Sequence, residues 1–482
     1  MSPAAKLKPY PAMKDSGVEW LGEVPEYWLQ PPGRACFSEK HTPNTCMVEQ
    51  TVLSLSYGRI VVKPEEKLRG LVPESFETYQ VVDPGDIICR PTDLQNDHTS
   101  LRFGFSNDRG IITSAYMCLE TEVLLNRRFG HLLLHSYDLK KVFYGLGSGL
   151  RQNLGWEDFK YLPCLIPPFP EQVAIVRFLD HVDRRIRRYI RAKRKLIALL
   201  TELKQAIIDR AVTRGLDPDV HLKDSGVEWL GQIPKHWEVV QSGHIIELTT
   251  GFPFKSEGFS PADNDIRLLR GVNVAVGLLR WNEVVRWPAN DRGAFIDFEL
   301  ELGDIVLGMD RPIIRGGIRV AKVGKQDLPC LLLQRVARIR PLQAVDTGFL
   351  LRVLAGKSFH DYLAPIFTGI SVPHLSPEQV QSFRLALPPL SEQVAIVKYL
   401  KEATTDLDST ITRANREINL LNEYRTRLIA DVVTGKLDVR EAAASLPEEP
   451  EDLEEADEFD ELPGAEPCAE FDTESAEVEN DE

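Results

Sequence analysis

The sequence predicts an α+β chain in which two mixed α/β domains are separated by two long antiparallel helices that form an intramolecular coiled coil. Three observations predict this architecture. Two blocks of sequence occur twice, two segments of about 40 residues carry apolar side chains at helical spacing, and the segments between them combine short apolar runs with turn residues. The repeated blocks give the chain a pseudo-twofold, circularly permuted organisation.

The duplication is visible in two pairs of blocks. KDSGVEWLGEVPEYW (14–28) returns as KDSGVEWLGQIPKHW (223–237) with 11 of 15 residues identical, and EQVAIV (171–176) returns unchanged 221 residues later (392–397). Between the blocks the two copies share only scattered features, such as a Gly-Asp-Ile turn before a strand. A near-constant frame with two divergent inserts is typical of one scaffold that carries two specificities.

Circular permutation predicts where the N-terminal segment lies. The 223–237 block follows the first long helix, whereas the counterpart for the second helix is the 14–28 block at the other end of the chain. We therefore expect the N-terminal segment to dock near the end of the second helix, with Lys14 in the neighbourhood of Lys436.

The long helices are predicted by a heptad pattern. From Ile175 to Ile207 nine of ten seam positions are apolar, and from Ile396 to Leu428 eight of ten are apolar. Each helix has one partner of the same pattern within the chain, so the simplest packing is of each against the other. A domain separates the end of the first helix from the start of the second, and a pseudo-twofold arrangement then makes the two antiparallel.

The predicted boundaries divide the chain into seven segments. They are an N-terminal segment that closes the pseudo-repeat (1–28), a first mixed domain (29–167), a central helical spacer (168–215), a repeat linker (216–237), a second mixed domain (238–388), a C-terminal helical spacer (389–436) and an acidic disordered tail (437–482).

Composition excludes several classes of protein. The 482 residues are 43% hydrophobic and 27% charged, without a run of about 18 apolar residues that would predict a membrane span. The N-terminus lacks a secretory signal, and seven scattered Cys without C-x-x-C spacing favour reduced thiols in a cytoplasmic protein without a zinc site.

The net charge of −15 is distributed unevenly. Residues 441–482 hold 19 Asp and Glu and no Lys or Arg, which leaves 72 − 19 = 53 acidic against 57 basic residues, or +4, for the rest. Such an acidic tail buries too little apolar surface to fold. It is either a solubilising extension or an electrostatic competitor for a DNA-binding surface.

Taken together, the motifs resemble specificity subunits of type I restriction–modification systems, over roughly residues 10 to 440. The resemblance rests on the following motifs: KDSGVEWLG followed by Pro and Trp, Pro-Pro before EQVAIV and a long helix, RPTDLQNDHTSLRFG (90–104), GFPFKSEGF (251–259) and TGISVPHLSPEQVQSFRLALPPLSEQ (368–393). The acidic tail is not explained by it.

The resemblance implies a non-catalytic DNA-recognition subunit in a system for defence against foreign DNA. Each mixed domain would be a target-recognition domain that reads one half of a bipartite site on double-stranded DNA. The paired helices would set the spacer and dock two methyltransferase subunits, and restriction subunits with translocase activity would join. S-adenosylmethionine, ATP and Mg would bind in the partner subunits and none of them in this one.

The residues agree that catalysis is absent. An amino-methyltransferase needs a polar residue before Pro-Pro-[Phe/Tyr], whereas Ile166 precedes Pro167 and Pro168 here. Gly356-Lys357-Ser358 lacks the first glycine of a phosphate-binding loop, and the ten His show no metal-ligand spacing. No catalytic residue and no metal ligand is therefore expected.

Candidate base-reading residues are cations, amides and hydroxyls on loops, because these groups match the edges of bases in the major groove. In the first domain they are Arg90, Thr92, Gln95, Asn96, Arg151, Gln152 and Asn153, and Arg102 is expected to contact a DNA phosphate nearby. In the second domain they are Lys255, Ser256, Arg270, Asn273, Asp310, Arg311 and Arg315. The alternatives are surface loops with Asx-turns, the start of a helix at 149–153, and a plain ion pair between Asp310 and an arginine.

Candidate partner-binding residues lie on the long helices. They are Glu171, Gln172, Leu179, Ile186, Leu200, Glu392, Gln393, Leu400, Leu407 and Leu421. The most basic stretch, 184–195, either attracts the backbone of the spacer DNA or is a solvated face that meets an acidic methyltransferase surface.

Two other functions remain open at this point. The chain could be a protein-interaction scaffold that binds no DNA, in which case alanine at Gln95 and Asn96 would leave its binding unchanged. It could also serve a methylation-only or inactive system, because the decisive residues for that distinction lie in partner subunits.

Overall fold

The computed structural model describes residues 7–64, 75–94, 101–146, 153–367 and 373–447. Contacts divide the chain into two units, and the division falls inside both long helices. Unit 1 consists of residues 1–192 and 417–482, and unit 2 consists of residues 193–416.

The predicted mixture of helices and strands is confirmed. The helices are α1 (Arg127–Leu139), α2 (Trp156–Phe159), α3 (Phe169–Arg214), α4 (Thr347–Ala355), α5 (Lys357–Phe367), α6 (Pro377–Ser382), α7 (Leu390–Val433) and α8 (Arg440–Ala444). The strands of unit 1 are β1 (Met13–Asp15), β2 (Glu23–Pro25), β3 (Phe37–Lys40), β4 (Leu53–Ser56), β5 (Arg59–Val62), β6 (Tyr79–Val82), β7 (Ile87–Cys89), β8 (Phe103–Phe105), β9 (Gly110–Thr113) and β10 (Met117–Thr121). Those of unit 2 are β11 (Leu222–Asp224), β12 (Gln232–Pro234), β13 (Glu238–Gln241), β14 (Ile246–Thr250), β15 (Ile266–Leu269), β16 (Val285–Trp287), β17 (Ile305–Gly308), β18 (Ile313–Ile314), β19 (Gly317–Ile318), β20 (Val320–Lys322), β21 (Cys330–Leu332), β22 (Val336–Pro341) and β23 (Arg384–Leu387).

The two long helices, α3 and α7, run antiparallel within each unit. In unit 1, Asp183 of α3 forms an ion pair with Arg425 of α7. In unit 2, the Lys204 ammonium lies 2.5 Å from the Asp408 carboxylate. Within unit 1, Ile175 and Leu179, early on α3, share a core with Val432 and Val433, late on α7. Within unit 2, Ala211 and Val212, late on α3, share a core with Ile396 and Leu400, early on α7. In each unit, partners on α7 therefore come earlier in the chain as the position on α3 advances. This confirms the predicted antiparallel pair.

The heptad seam is wrong for the later part of α3. Tyr189 and Leu203, both predicted seam residues, are exposed by 47% and 50%, whereas Ile190 is only 7% exposed. A straight α-helix with 3.6 residues per turn drifts about 20° per heptad, so a strict seven-residue repeat leaves the packed face after two or three heptads. Isoleucines instead recur every eleven residues, with Ile175 and Ile186 buried and Ile197 and Ile208 half-buried.

Each unit contains one four-stranded antiparallel sheet of the same topology. The strand order is β3-β10-β7-β8 in unit 1 and β14-β22-β17-β20 in unit 2. The shared Gly-Asp-Ile motif turns the chain into the third strand of each sheet. Gly85 and Gly303 both have φ +98°, a value that favours glycine. Asp86 and Asp304 cap their turns by accepting from the backbone N–H three residues earlier, at 2.8 Å in both cases.

The Glu-Gln pair that begins each repeated EQVAIV block joins helix to domain. The Gln172 amide donates to the carbonyls of Leu124 and Pro167 at 2.9 Å and accepts from Asn126 N–H at 2.7 Å. Gln393 makes the equivalent three bonds in unit 2, to Ala344 O, Pro388 O and Asp346 N–H. Asn126 and Asp346 in turn cap α1 and α4.

The glutamate of each pair holds the other repeated block. Glu171 accepts from the Tyr10 hydroxyl at 2.6 Å and from the Trp28 indole at 3.2 Å. Glu392 accepts from the Trp237 indole at 3.1 Å. Burial and the bond to Glu171 raise the pKa of the neighbouring Tyr27 hydroxyl to about 12, so this hydroxyl stays a hydrogen-bond donor at neutral pH.

The N-terminal segment closes against the end of α7, as circular permutation predicted. Lys8 forms an antiparallel bridge with Asp438, and Trp28 shares a core with Val433 and Val439. A Cβ at Gly435 would lie 2.3 Å from the Pro25 ring, so only glycine fits this contact.

The acidic tail begins later than expected. Residues 437–447 were predicted to be disordered, but α8 lies here, and its Ala443 and the preceding Val439 are buried in the unit 1 core. The Arg440 guanidinium lies 5.3 Å from the centre of the Tyr10 ring. Apolar residues at helical spacing therefore fold this stretch despite the acidic residues that follow. Residues 448–482 lie outside the described residues.

The buried glutamine contact predicts a large loss of stability. Gln172→Leu keeps the volume of the side chain but leaves two carbonyls and one N–H without partners, which we expect to lower the free energy of unfolding by about 3 kcal/mol. Urea unfolding followed by tryptophan fluorescence measures it. The control is Val173→Ala at the next position, which is exposed, and we expect it to change the free energy of unfolding by less than about 0.5 kcal/mol. Equal effects of the two substitutions would contradict the role of Gln172.

Candidate nucleic-acid interface

The first candidate loop follows β7 at the third strand of the unit 1 sheet. Its backbone is held by the Arg102 guanidinium, which donates to the carbonyls of Thr92 at 2.7 Å and Asp93 at 3.1 Å and approaches that of Arg90 at 3.3 Å. Leu94 is buried beneath it. Arg102 therefore holds the loop at three of its backbone carbonyls.

Arg102 differs from its predicted role. It was expected to reach a DNA phosphate, but only 1% of it is exposed and its Nε donates to the Tyr144 hydroxyl at 3.2 Å. A guanidinium with its donors committed to backbone carbonyls cannot approach a phosphate without breaking the loop. The structure makes it the residue that positions the candidate readers.

A second arginine, missed in the sequence, does the same in unit 2. Arg319 donates to Asp310 O and Val274 O at 2.9 Å and also to Gly271 O. Strand register makes the two arginines equivalent, because Phe103 pairs with Cys89 and Val320 pairs with Leu307. Each arginine thus immediately precedes the edge strand and holds the loop that follows the neighbouring strand.

The equivalence extends along both loops. Counted from the shared Gly-Asp-Ile turn, Asp93 and Arg311 are the same position, and both adopt positive φ, +60° and +44°. Pro91 O accepts from Leu154 N–H at 2.9 Å, and Met309 O accepts from Leu375 N–H at 2.8 Å. In each unit the loop is thereby joined to the segment before a short helix, α2 or α6.

This arrangement brings together candidates that are far apart in sequence. In unit 1, Asn153 lies beside the loop and its amide oxygen accepts from Asp93 N–H at 3.3 Å. In unit 2, Arg319 joins the 271–274 turn to Asp310. Thr92 and Arg90 are half-buried in the loop, whereas Arg311 is exposed. Gln95, Asn96, Arg151 and Gln152 lie outside the described residues.

Asp310 belongs to a small charged cluster. Its carboxylate accepts from the Arg335 guanidinium at 2.9 and 3.0 Å and lies 2.7 Å from the His374 ring nitrogen. Burial raises the pKa of Asp310, but the bonds from His374 and Arg335 outweigh it and lower that pKa below its ordinary value. The ion-pair alternative thus describes this carboxylate, and Arg335 and His374 join the candidate surface.

Other candidates of unit 2 divide into structural and exposed residues. Asn273 is 2% exposed, and its amide donates to Arg280 O and Glu283 O, so it holds the turn instead of facing a base as expected. Arg270 donates to Glu283 at 3.2 Å. Lys255 and Ser256 are exposed on a separate turn beside buried Phe254.

Two-residue hairpins add exposed side chains in both units. Arg315 is exposed at the turn between β18 and β19, where Gly316 and Gly317 have positive φ. The turn between β4 and β5 presents Tyr57, which is 52% exposed, and a Cβ at Gly58 would lie 2.9 Å from Leu101. The hairpin therefore lies beside the segment that leads into β8. Tyr57 and Gly58 have φ of +47° and +76°, as a two-residue hairpin turn with positive φ at both positions requires.

The predicted partner-binding residues mostly face inward. Glu171, Gln172, Leu179, Ile186, Gln393 and Leu400 are buried, and Leu200, Glu392, Leu407 and Leu421 are half-buried. The exposed apolar residues of the helices occupy other positions. Four pairs of them recur at an offset of 221, namely Phe169/Leu390, Val173/Val394, Leu199/Leu420 and Leu203/Tyr424, whereas Tyr189, Leu196 and Tyr399 have no exposed apolar counterpart.

The described residues contain no group of three or more His, Cys, Asp or Glu arranged to hold a metal ion. Among them no helix combines the length and the apolar character needed to cross a membrane.

Comparison with known proteins finds similarity to type I restriction enzyme specificity subunits. Residues 234–420 match the profile of the type I restriction modification DNA specificity domain. The MjaVIII type I restriction enzyme specificity subunit of Methanocaldococcus jannaschii is 28% identical over 341 residues, 70% of this chain and 76% of that protein. The EcoAI specificity subunit of Escherichia coli is 37% identical over 172 residues, 36% of this chain and 29% of that protein.

A solved structure shares the fold. It comes from work on complex assembly and conformational transition of the type I R-M system and superposes with a TM-score of 0.59 at 15% identity. The match covers 86% of this chain and 99% of the other.

The two arginines predict local loosening on substitution. Arg102→Ala removes the donors that hold residues 90–94, and Arg319→Ala removes those that hold 271–274 and 309–311. We expect amide hydrogen exchange there to rise about tenfold or more, since each lost charge-assisted bond is worth about 1.5–3 kcal/mol. Mass spectrometry of exchanged peptides measures it. Arg109→Ala, at an arginine that is 58% exposed, is the control, and an unchanged 90–94 peptide in Arg102→Ala would contradict the prediction.

Proposed function

We propose that this chain, which belongs to the family of type I restriction–modification specificity subunits, reads both halves of a bipartite DNA site for its complex. The observation that carries the proposal is the pair of arginine-held loops. Two domains of divergent sequence keep an arginine bonded to loop carbonyls, a positive-φ residue and a bond to the segment before a short helix, all at equivalent positions. Two domains that read different DNA sequences need the same loop position but different exposed side chains, and the two loops have this combination.

Reading follows from what the loops expose. Cations suit guanine, amides suit adenine, and contacts to phosphates fix the register without carrying sequence information. The proposed readers of the first half-site are Arg90, Thr92, Asn153 and Tyr57, together with Gln95, Asn96, Arg151 and Gln152. Those of the second are Lys255, Ser256, Arg270, Arg311, Arg315 and Arg335. Because Arg102, Arg319 and Asn273 are occupied by backbone groups, we assign them positioning roles.

The helices would set the spacer and dock two methyltransferase subunits. Support comes from exposed apolar residues that recur at a constant offset of 221, because a duplicated surface suits two copies of one partner. Restriction subunits would join this assembly, and S-adenosylmethionine, ATP and Mg would be held by the partners. The role of this chain within the complex is non-catalytic, so binding and geometry are all it contributes.

The first experiment is co-expression with the methyltransferase subunit and genome-wide mapping of methylated adenines. A split motif with two short specific parts is the expected result. No new methylation from a verified complex with an active methyltransferase would overturn the proposal and favour a scaffold that binds no DNA.

Substitution of the positioning arginines predicts effects on separate half-sites. Arg102→Ala should relax or abolish recognition of one half, and Arg319→Ala that of the other, since a misplaced bidentate contact loses about 1–3 kcal/mol of discrimination. Methylation of plasmids that carry single-base changes in each half measures this. Arg109→Ala is again the control. If each substitution affected both halves equally, the assignment of one loop to one half-site would fail.

The packing period of α3 predicts how the spacer can be lengthened. Inserting 22 residues in each helix, after Arg191 and before Ile418, preserves an eleven-residue packing period and adds about 33 Å. This is about one turn of B-DNA, so the spacer should grow by about ten base pairs with both half-sites unchanged. An 11-residue insertion in each helix would add about half a turn of B-DNA to the spacer, so the two half-sites would face different sides of the duplex. We expect a complex with this insertion to methylate DNA poorly. Mapping of the methylated motif measures the spacer length. An unchanged spacer would refute the proposal that helix length sets the spacer.

A further inference from the structure

The first long helix carries a basic stripe. Arg177, Arg184, Arg188 and Arg191 are all exposed and lie within about 40° of one line at 100° per residue. The stripe runs for about 21 Å along α3 at 1.5 Å per residue. It lies wholly in unit 1.

The second helix lacks this stripe although it is a copy of the first. The equivalent residues, 221 positions later, are Lys398, Thr405, Ser409 and Thr412. Four exposed apolar positions, in contrast, recur on both helices. A function that both helices share therefore does not require the basic stripe. We expect the partner of the stripe to be a feature that also occurs only once in the chain.

The acidic tail occurs once, and it starts at the stripe. The Arg177 guanidinium donates to Leu446 O at 2.9 Å and to Pro447 O at 3.4 Å, so the chain leaves the described residues at the first arginine of the stripe. The 35 residues that follow contain 18 Asp and Glu and no Lys or Arg. Seven extended residues suffice to follow the stripe, at about 3.3 Å each.

A basic cleft lies where the stripe begins. It has a volume of about 630 Å³, and its charged lining consists of Arg128, Arg177, Arg184, Arg187, Asp180 and Asp183. The two acids are already paired, Asp183 with Arg187 at 2.7 Å and Asp180 with Arg128 at 3.4 Å. The lining therefore keeps a net charge of +2, which attracts a polyanion.

We propose that residues 448–482 bind the basic stripe and cleft of α3 in the same chain and compete there with the backbone of nucleic acid. The tail is tethered beside its site, so its effective concentration is high and weak contacts suffice. Interactions between exposed charges are screened by salt, and the bound state is therefore favoured at low ionic strength. The tail then lowers sequence-independent DNA binding and leaves the loops that read bases unobstructed.

The full chain offers a direct probe. Among the described cysteines only Cys46 is exposed, so in a Cys46→Ser background a maleimide dye attaches at Cys468 in the tail. We expect high dye anisotropy at 50 mM salt and a fall at 500 mM. The triple substitution R184E/R188E/R191E should give the low value at both salt concentrations. Added random-sequence duplex DNA should lower the anisotropy of the unsubstituted chain.

A matched triple substitution on the other helix is the control. K398E/K401E/R413E removes three exposed cations of α7 and should behave like the unsubstituted chain. The neutral version R184Q/R188Q/R191Q repeats the test without added negative charge, and circular dichroism verifies that each variant is folded. Equal anisotropy in the unsubstituted and both stripe variants would overturn the proposal, and so would DNA binding that leaves the dye unaffected. Neither result depends on whether the loops read a specific site.

Discussion

The buried Glu-Gln pair at the start of each long helix is the contact on which the architecture depends. Each glutamine bonds to the first domain helix and to the Pro-Pro turn, while each glutamate receives the indole of the repeated Trp. One dipeptide therefore fixes helix, domain and linker against each other. Each domain is therefore held against the start of the long helix that follows it in sequence.

The domains show how divergent sequence keeps a common support. Arg102 and Arg319 are separated by 217 residues, an offset that matches neither repeated block, and they emerge as equivalents only through strand register. Each donates from its guanidinium to carbonyls of the loop after the third strand, Arg102 from a buried position and Arg319 from a half-buried one. Bonds from a charged donor to backbone carbonyls are indifferent to the side chains of the loop, so those side chains can vary while the loop keeps its place.

Some features of the chain occur on both long helices, and others occur only once. Four exposed apolar positions repeat on both helices, which suits a partner present twice, whereas the basic stripe and the acidic tail each occur once. Arg177 joins these two features, since it lies on the stripe and bonds to the last described carbonyls before the tail. A duplicated frame thus separates a shared function from a regulatory one that belongs to a single copy.

Sequence alone determined the duplication, the helix pair, the docking of the N-terminal segment near the end of the second helix, and the loops that carry exposed polar residues, because repeats and periodicity are local and strong. Tertiary structure decided which of those polar residues are occupied. Arg102 and Asn273 look like readers in a loop but are buried, and their donors are bound to backbone carbonyls. The heptad from Ile175 also failed late in α3, because small angular drift accumulates with length. Burial and register depend on neighbours distant in sequence, and no local pattern contains them.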